Sequence, residues 1–424
     1  MRSCILLGAA ALVAGSPAPQ GFNPASLDSI PVTITQGPPV LGPAQQTGVY
    51  AQAQAQNIAA AAATGAATAV AAKRDVDDVE KRAGATKVST REAVAPNPTS
   101  TNTAPSTCTP VGWTNTYVFT SIPACPTQVV VGTSCGFVNP DDPCAAQPNA
   151  YGPNTSPDTV DNFKSNRVYA DLATKAKTPS GYDLSFSNYD GSVSGSGYLG
   201  YQVLTSYDPS ACSALCAETK TCTGFNIFIE RDPKWNPEKC SCEAPSIAQI
   251  KCSLWGQDVK KDSATNKGQH RSGFEVVIVA SNGYNKKPVT PPSPPSCSKP
   301  QNCGHNLHDH LPFCLGEHTF PGPFDPSLCA AFAQTQNAVN KAVGLWNMLL
   351  SFFGMGKASC VQFSAAYLEK DGKGFGTNCR LFTKKFTPSQ ATLDISGSGD
   401  WGCQKSYTWD VDVNAQFNWA GWSW

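Results

Sequence analysis

A cysteine-containing motif begins at Asp208-Pro209-Ser210-Ala211-Cys212 and continues at Cys222-Thr223-Gly224-Phe225 and at Cys252-Ser253-Leu254-Trp255. The chain contains a second copy of this motif, formed by Asp325-Pro326-Ser327-Leu328-Cys329, Cys360-Val361-Gln362-Phe363 and Cys379-Arg380-Leu381-Phe382. A repeat of this size indicates two copies of one disulfide-stapled module. The repeat therefore favours a recognition scaffold over a catalytic fold.

The residues around each copy predict a helix between strands. Asp208 is a good N-cap and Pro209 suits the first helical position, so a helix to about Thr219 would place Cys212 and Cys216 on one face. The second helix begins in the same way at Asp325-Pro326. Apolar runs and alternating patterns predict strands over 198–207, 225–230, 251–255 and 274–279, and again over 361–368, 378–383 and 407–413. The fold class predicted is α+β.

Length and charge limit what the chain can be. A chain of 424 residues has room for two or three domains. The 31 basic and 31 acidic residues cancel, so no overall field attracts nucleic acid or anionic lipid. The 18 cysteines indicate either a disulfide framework or metal and redox chemistry, and the compartment decides between them.

The first residues indicate export. Met1-Arg2 is a basic start, the stretch from Cys4 to Val13 is apolar but too short to span a bilayer, and small residues follow. We interpret residues 1–18 as a signal peptide and expect no membrane span. The protein is therefore expected to be secreted, extracellular or cell-wall associated, with disulfide-bonded cysteines. Asn154 lies in the only N-glycosylation sequon.

Residues 19–107 are interpreted as a disordered pro-region. They are rich in Ala, Gln, Thr, Pro and Gly, and they contain almost no aromatic residue and no cysteine. The run from Ala51 to Ala72 is expected to be at most transiently helical. Two dibasic pairs, Lys73-Arg74 and Lys81-Arg82, resemble processing sites of kexin-type proteases. Cleavage after Arg74 and Arg82 is one interpretation, and a solvated charge cluster is the other.

The remaining chain divides into three parts. Residues 108–285 are expected to hold a four-cysteine extension and the first module. Residues 286–300 form a Pro-rich linker, which includes Pro291-Pro292-Ser293-Pro294-Pro295 and is predicted to be a semi-rigid polyproline spacer. Residues 301–424 hold the second, divergent module.

The order of these cysteines resembles the PAN/apple module. The first copy is similar in sequence to secreted fungal proteins with PAN-like repeats. The matching stretches are Phe225-Asn226-Ile227, Glu230-Arg231-Asp232-Pro233 and Lys251-Cys252-Ser253-Leu254-Trp255-Gly256. The match continues through Asn266-Lys267-Gly268-Gln269 and Ser281-Asn282-Gly283-Tyr284. The resemblance covers about 157–285, is weaker over 303–413 and is absent before Cys108. It implies an antiparallel sheet that cradles one helix.

The resemblance also implies disulfide pairs from the helix to the sheet. Carried onto this chain, they are Cys216–Cys222 and Cys212–Cys252 in the first module and Cys329–Cys379 in the second. Cys240 and Cys242 have no clear counterparts and are expected to pair outward, for instance with the segment from Cys108 to Cys144.

The second module departs from this pattern because Ala333 stands at the second helix-cysteine position. Cys360 therefore lacks its expected partner. It is either an unpaired buried thiol or paired with Cys297, Cys303, Cys314 or Cys403, and an intermolecular bridge is a further alternative.

Four of the 5 histidines lie close together in the sequence: His305, His308, His310 and His318. His305 and His308, or His308 and His310, are the candidate pairs for a Zn or Cu site, with Asp309 orienting a ring. The spacing matches no known metal motif, and Cys303 and Cys314 are expected to form disulfides. A polar loop without metal is the simpler interpretation, so no cofactor is predicted.

Two apolar clusters have alternative interpretations. The second helix extends past Gln336 with a stripe formed by Val339, Val343, Trp346, Leu350 and Phe353, which either packs in the core or forms a docking face. Five tryptophans lie near the end of the chain and either pack at a sheet edge or stack on sugars; they are Trp401, Trp409, Trp419, Trp422 and Trp424.

No catalytic arrangement emerges from the sequence. Gly195-Ser196-Gly197 is only a fragment of a nucleophile motif, and Glu230 and Asp232 flank Arg231 where a structural ion pair or turn is expected. The predicted function is non-enzymatic recognition of an extracellular protein or glycan, with unknown binding residues. The alternatives are a carbohydrate-active enzyme on an atypical scaffold and a precursor that releases a kexin-processed peptide.

Overall fold

The computed structural model describes residues 23–68, 145, 147–238, 244–347, 359–396 and 400–413. The predictions for the signal peptide, the dibasic pairs, the segment from Cys108 to Cys144 and the pair Cys240 and Cys242 lie outside these residues. The described chain is mixed α+β, with two antiparallel sheets. Its first elements are the helix α1 (Pro24–Asp28), the two-residue strand β1 (Gln45–Gln46) and the helix α2 (Gln52–Thr68).

The first module, residues 147–286, is built on a seven-stranded sheet with the order β1-β3-β5-β4-β7-β2, in which β6 also pairs with β7. Three helices belong to this module: α3 (Val160–Lys164), α4 (Arg167–Thr174) and α5 (Pro209–Glu218). The strands are β2 (Tyr182–Tyr189), β3 (Tyr198–Leu204), β4 (Gly224–Pro233), β5 (Ser246–Trp255), β6 (Gly268–Arg271) and β7 (Phe274–Lys286).

Helix α5 begins where the capping residues predict. The Asp208 carboxylate accepts a hydrogen bond from the backbone N–H of Ser210 (2.8 Å), and Pro209 is the first helical residue. Cys212 and Cys216, one turn apart, both face the sheet and are fully buried. The structure contains the disulfides Cys212–Cys252 and Cys216–Cys222, which are the pairs that the resemblance implies.

The second module, residues 301–413, repeats this plan with a five-stranded sheet in the order β8-β12-β10-β11-β9 and one long helix, α6 (Pro326–Asn347). The disulfide Cys329–Cys379 joins α6 to β11, again as the resemblance implies. The strands are β8 (Gln301–Gly304), β9 (Cys314–Pro321), β10 (Gln362–Lys370), β11 (Lys373–Phe382) and β12 (Trp401–Asp410). No helix in the described part of the chain has both the length and the apolarity needed to cross a bilayer.

Residues 23–68 correct the prediction of a disordered pro-region. Helix α2 packs on α6, with Ala59 and Ala63 fully buried in the core of the second module. Strand β1 pairs with β3 of the first module, and Leu27 lies in a cluster with second-module residues. The segment alone has too little apolar surface to order itself. It is ordered because alanine side chains let α2 approach α6 closely, and two modules supply the missing contacts.

The two modules form a direct junction. Ser196 donates from its backbone N–H to the Gly374 carbonyl (3.0 Å) and from its hydroxyl to the Phe375 carbonyl (2.7 Å). The Lys260 ammonium pairs with the Glu369 carboxylate at 2.8 Å. Main-chain hydrogen bonds and a charged pair therefore both link the two modules.

Candidate binding cleft

A cleft of about 800 Å³ opens between the two modules. One wall is the C-terminal end of α5 with the loop 219–223. The second wall is the linker segment 286–292, and the third is formed by β8 and β12 of the second module. The Pro-rich linker therefore does more than separate the modules, because its residues also line the space between them.

Aromatic residues of the second module line the base of the cleft. Phe324 precedes α6 and Tyr407 lies on β12, with their ring centroids 6.2 Å apart. The Phe324 N–H donates to the carbonyl of Gly256 (2.8 Å), which fixes this segment on the first module. A Cβ atom at Gly256 would lie 2.3 Å from the Pro323 Cβ, so glycine is needed for this approach.

Lys286 is held at the junction of two walls. Its ammonium donates to the carbonyls of Cys216 (3.1 Å) and Cys222 (2.8 Å). Burial lowers the pKa of Lys286, because desolvation disfavours its charged form. The side chain therefore caps the end of α5 and presents a positioned, partly desolvated cation to the cleft.

Two charged pairs line the cleft. Lys405 of β12 pairs with Asp258 of the first module at 2.5 Å, and the backbone N–H of Asp258 donates to the side-chain oxygen of Gln404 (2.8 Å). Lys287 and Asp183 form a second, more open pair at 4.0 Å. Both carboxylates thus serve as partners of lysines.

His305 is the one candidate histidine that lines the cleft. It is exposed, and its Nδ1 lies 3.1 Å from the carbonyl oxygen of Cys403. In the neutral ring Nδ1 therefore carries the proton and Nε2 remains an acceptor. The cleft as a whole combines donors, acceptors and aromatic faces in a volume typical of sites for small ligands.

The other three candidate histidines are not gathered into one metal centre. His308 and His310 come together, with Nδ1 of the first 3.2 Å from Nε2 of the second, and His310 stacks on Phe386. His318 lies on β9 against Phe320. Burial, with the neighbouring His310, lowers the pKa of His308 to about 4. Within the described residues no group of three or more side chains that could hold a metal ion occurs, and of the candidate histidines only the pair His308 and His310 comes together.

The expectation that Cys303 and Cys314 form disulfides is wrong. Both are buried thiols on β8 and β9, the two edge strands of the five-stranded sheet. Four strand spacings separate them, or about 19 Å. A disulfide needs Cα atoms about 4.4–6.8 Å apart, so these two cannot pair with each other. The Cys303 sulfur instead lies 3.6 Å from Nε2 of His308.

Cys360 is an unpaired, fully buried thiol, and its proposed alternative partners are also unpaired. Its backbone N–H donates to the side-chain oxygen of Asn337 on α6 (2.7 Å). Burial raises the pKa of the Cys360 thiol to about 12, which suppresses the reactive thiolate. The four cysteines that were alternative partners of Cys360, all of them free thiols, are Cys297, Cys303, Cys314 and Cys403.

The structure describes only some of the tryptophans and part of the long helix on which the sequence predictions were made. Trp409 is fully buried and stacks on Phe363, and Trp401 packs edge-on against Phe375. These two therefore pack inside the protein, while Trp419, Trp422 and Trp424 lie outside the described residues.

Helix α6 packs on its own sheet and on α2. The side chains of its apolar stripe after Lys341 lie outside the described residues. Asn154 is exposed in a loop, and Arg74 and Arg82 lie outside the described residues.

Sequence reasoning did not identify the side chains that build the cleft. Lys286, Asp258, Lys405 and Tyr407 belong to no motif, and they come from parts of the chain that are distant in sequence. The available signal was indirect. A Pro-rich linker between two repeated modules indicates a boundary, and ligand sites often occur at such boundaries.

Neither a protein-family model, nor a curated protein, nor a solved structure matches this chain. The proposed function therefore depends on the geometry of the cleft and on the resemblance of the two cysteine motifs to the PAN/apple module.

Proposed function

We propose that this chain is a secreted, non-enzymatic recognition protein with two PAN/apple-like modules, which binds an extracellular glycan or protein segment in the cleft between them. Each module supports the family assignment with an antiparallel sheet, one principal helix and a helix-to-sheet disulfide. The disulfides and the exposed sequon at Asn154 are compatible with an oxidising, extracellular setting.

The observation that carries the proposal is the cleft itself. Its volume of about 800 Å³ suits a short oligosaccharide or an extended peptide, and is too small for the face of a globular domain. Lys286 and His305 offer polar groups, and Tyr407 and Phe324, although mostly buried in the core of the second module, contribute aromatic carbon to the cleft lining. Hydroxyl-rich and amide-rich ligands both need such a mixture of directed hydrogen bonds and flat apolar contacts.

Lys287→Ala and His305→Ala are each expected to weaken ligand binding roughly ten- to a hundredfold, since a lost hydrogen bond to a charged group costs about 1.5–3 kcal/mol. Both side chains are exposed, so the fold should be unaffected. The ligand is first identified by screening the secreted protein on arrays of chitin, β-glucan and mannan oligosaccharides and of extracellular peptides. Affinity is then measured by isothermal titration.

Lys175→Ala is the matched control, because Lys175 is an exposed lysine that caps the C-terminal end of α4, outside the cleft. It should bind as tightly as the unaltered protein. Equal affinities for all three variants would contradict the proposal. Release of shortened oligosaccharides during the same screen would instead favour the carbohydrate-active enzyme.

A further inference from the structure

The segment 23–68 contacts the first module as an added strand. Thr35 and Gly195 exchange two main-chain hydrogen bonds, of 2.9 and 3.0 Å. The backbone N–H of Val203 donates to the Ala44 carbonyl (2.8 Å), and β1 then pairs with β3, which without this segment would be the edge strand of the sheet. An extended peptide added to a sheet edge is a recurring way in which separate chains bind each other.

The edge strand is shaped for this peptide. Gly200 has a φ of +124°, and a Cβ atom there would lie 2.2 Å from the carbonyl oxygen of Gln46. Only glycine combines this backbone conformation with so close an approach of a second main chain. The Lys251 ammonium, itself buried, also donates to the carbonyl of Pro39 (3.2 Å).

The same segment completes a buried polar site in the second module. Asp325, the N-cap of α6, is fully buried, and its Oδ2 accepts from the Tyr50 hydroxyl (2.8 Å) and the Gln52 amide (3.1 Å). Gln56 donates to the Ser327 hydroxyl at 2.9 Å. Without the segment, the Asp325 carboxylate would lose two of the groups that offset its burial.

Apolar packing adds to these polar contacts. Ala59 and Ala63 of α2 are fully buried against α6, and Leu41 is also buried. The segment therefore contacts both modules through main-chain pairing, buried hydrogen bonds and close helix packing. These are the features of a stable interface between separate chains.

We infer that residues 23–68 stay bound when the chain is cut between residues 69 and 144. Hydrolysis of one peptide bond by an external protease, with water consumed and a new carboxylate and amine formed, then produces a two-chain protein. Cleavage after Arg74 or Arg82 would accordingly fail to release the upstream segment. This inference does not depend on the ligand of the cleft.

The test replaces Asp75–Glu80 in the full chain with the recognition sequence of a site-specific protease. The purified protein is cut to completion, as judged on a denaturing gel, and then passed through a non-denaturing size-exclusion column. No cysteine occurs between residues 5 and 107, so a disulfide cannot hold the upstream fragment after the signal peptide is removed. We expect both fragments to elute together and to separate only in denaturant. Elution of the upstream fragment alone would overturn the inference.

Ala59→Arg in the same cleavable protein is expected to release the fragment after cutting, because the buried site has no room or partner for a guanidinium. Ala61→Arg is the matched control, since Ala61 is exposed on the same helix, and its fragment should remain bound. If the Ala59 variant does not fold, the cut protein without substitutions still decides the question. Release from the Ala61 variant as readily as from the Ala59 variant would contradict the assigned interface.

Discussion

Lys251→Met is expected to lower the free energy of unfolding by about 3–5 kcal/mol, because it leaves a buried pair of acidic side chains without their cation. Lys251 lies on β5, and its ammonium contacts the Glu230 carboxylate and, at 2.7 Å, the Asp232 carboxyl on β4. All three side chains are nearly inaccessible to water. Urea denaturation monitored by circular dichroism measures the change.

The matched control removes the acids together with the cation. Glu230→Gln and Asp232→Asn, combined with Lys251→Met, should recover most of the lost stability, because no uncompensated charge is then buried. A loss below about 1 kcal/mol for Lys251→Met alone, the size seen for exposed pairs, would show that the cluster is solvated and not buried as described.

Asp232 makes this cluster sensitive to pH. Burial, reinforced by repulsion from Glu230, raises the pKa of Asp232 well above its ordinary value. The folded protein therefore keeps a proton that the unfolded chain releases. The resulting stability is full below the unfolded pKa, about 3.9, and is lost as the pH rises through the folded pKa. Asp232→Asn should lack this decline in urea denaturation across the same pH range, whereas parallel profiles would contradict the assignment.

Replacing Cys329 and Cys379 by alanine is expected to lower the free energy of unfolding by about 4 kcal/mol. This disulfide spans 50 residues, and the cost follows from the loop-closure entropy that the cross-link removes from the unfolded chain. It joins α6 to β11, so its loss should loosen the module that supplies Phe324 and Tyr407 to the cleft. Thermal and urea denaturation of the secreted variant give the measurement.

The matched control is the same replacement at Cys216 and Cys222, which are separated by only 6 residues. The shorter loop predicts a smaller loss, about 2.4 kcal/mol. Equal losses at the two sites, or the larger loss at the short loop, would contradict a dominant role for unfolded-state entropy.

Sequence patterns predicted the elements that are marked by residues close together in the sequence, such as helix caps and continuous apolar runs. Asp208 and Pro209 mark the start of α5, and the buried pattern from Phe225 marks β4. Strand β2 was missed because it is an edge strand with several exposed residues, among them Leu184. Strand β12 begins at Trp401, earlier than predicted, because polar residues such as Gln404 are buried there and hide the apolar alternation.

The order of residues 23–68 could not be predicted from their composition. The segment is poor in large apolar residues, and composition measures only what a segment can bury by itself. Tyr50 and Gln52 find their partner in Asp325, more than 270 residues away in the sequence. The same limit applies to the cleft, where Asp258 and Lys405 meet only after both modules have folded.

The most direct test of the central claim is hydrogen–deuterium exchange of the unaltered protein with and without the ligand identified on the arrays. Binding in the cleft predicts slower exchange in the loop 219–223, in the linker segment 286–292 and around His305, with no change in α4. Protection confined to α4 or to other surfaces outside the cleft, with the three cleft segments unchanged, would contradict the account.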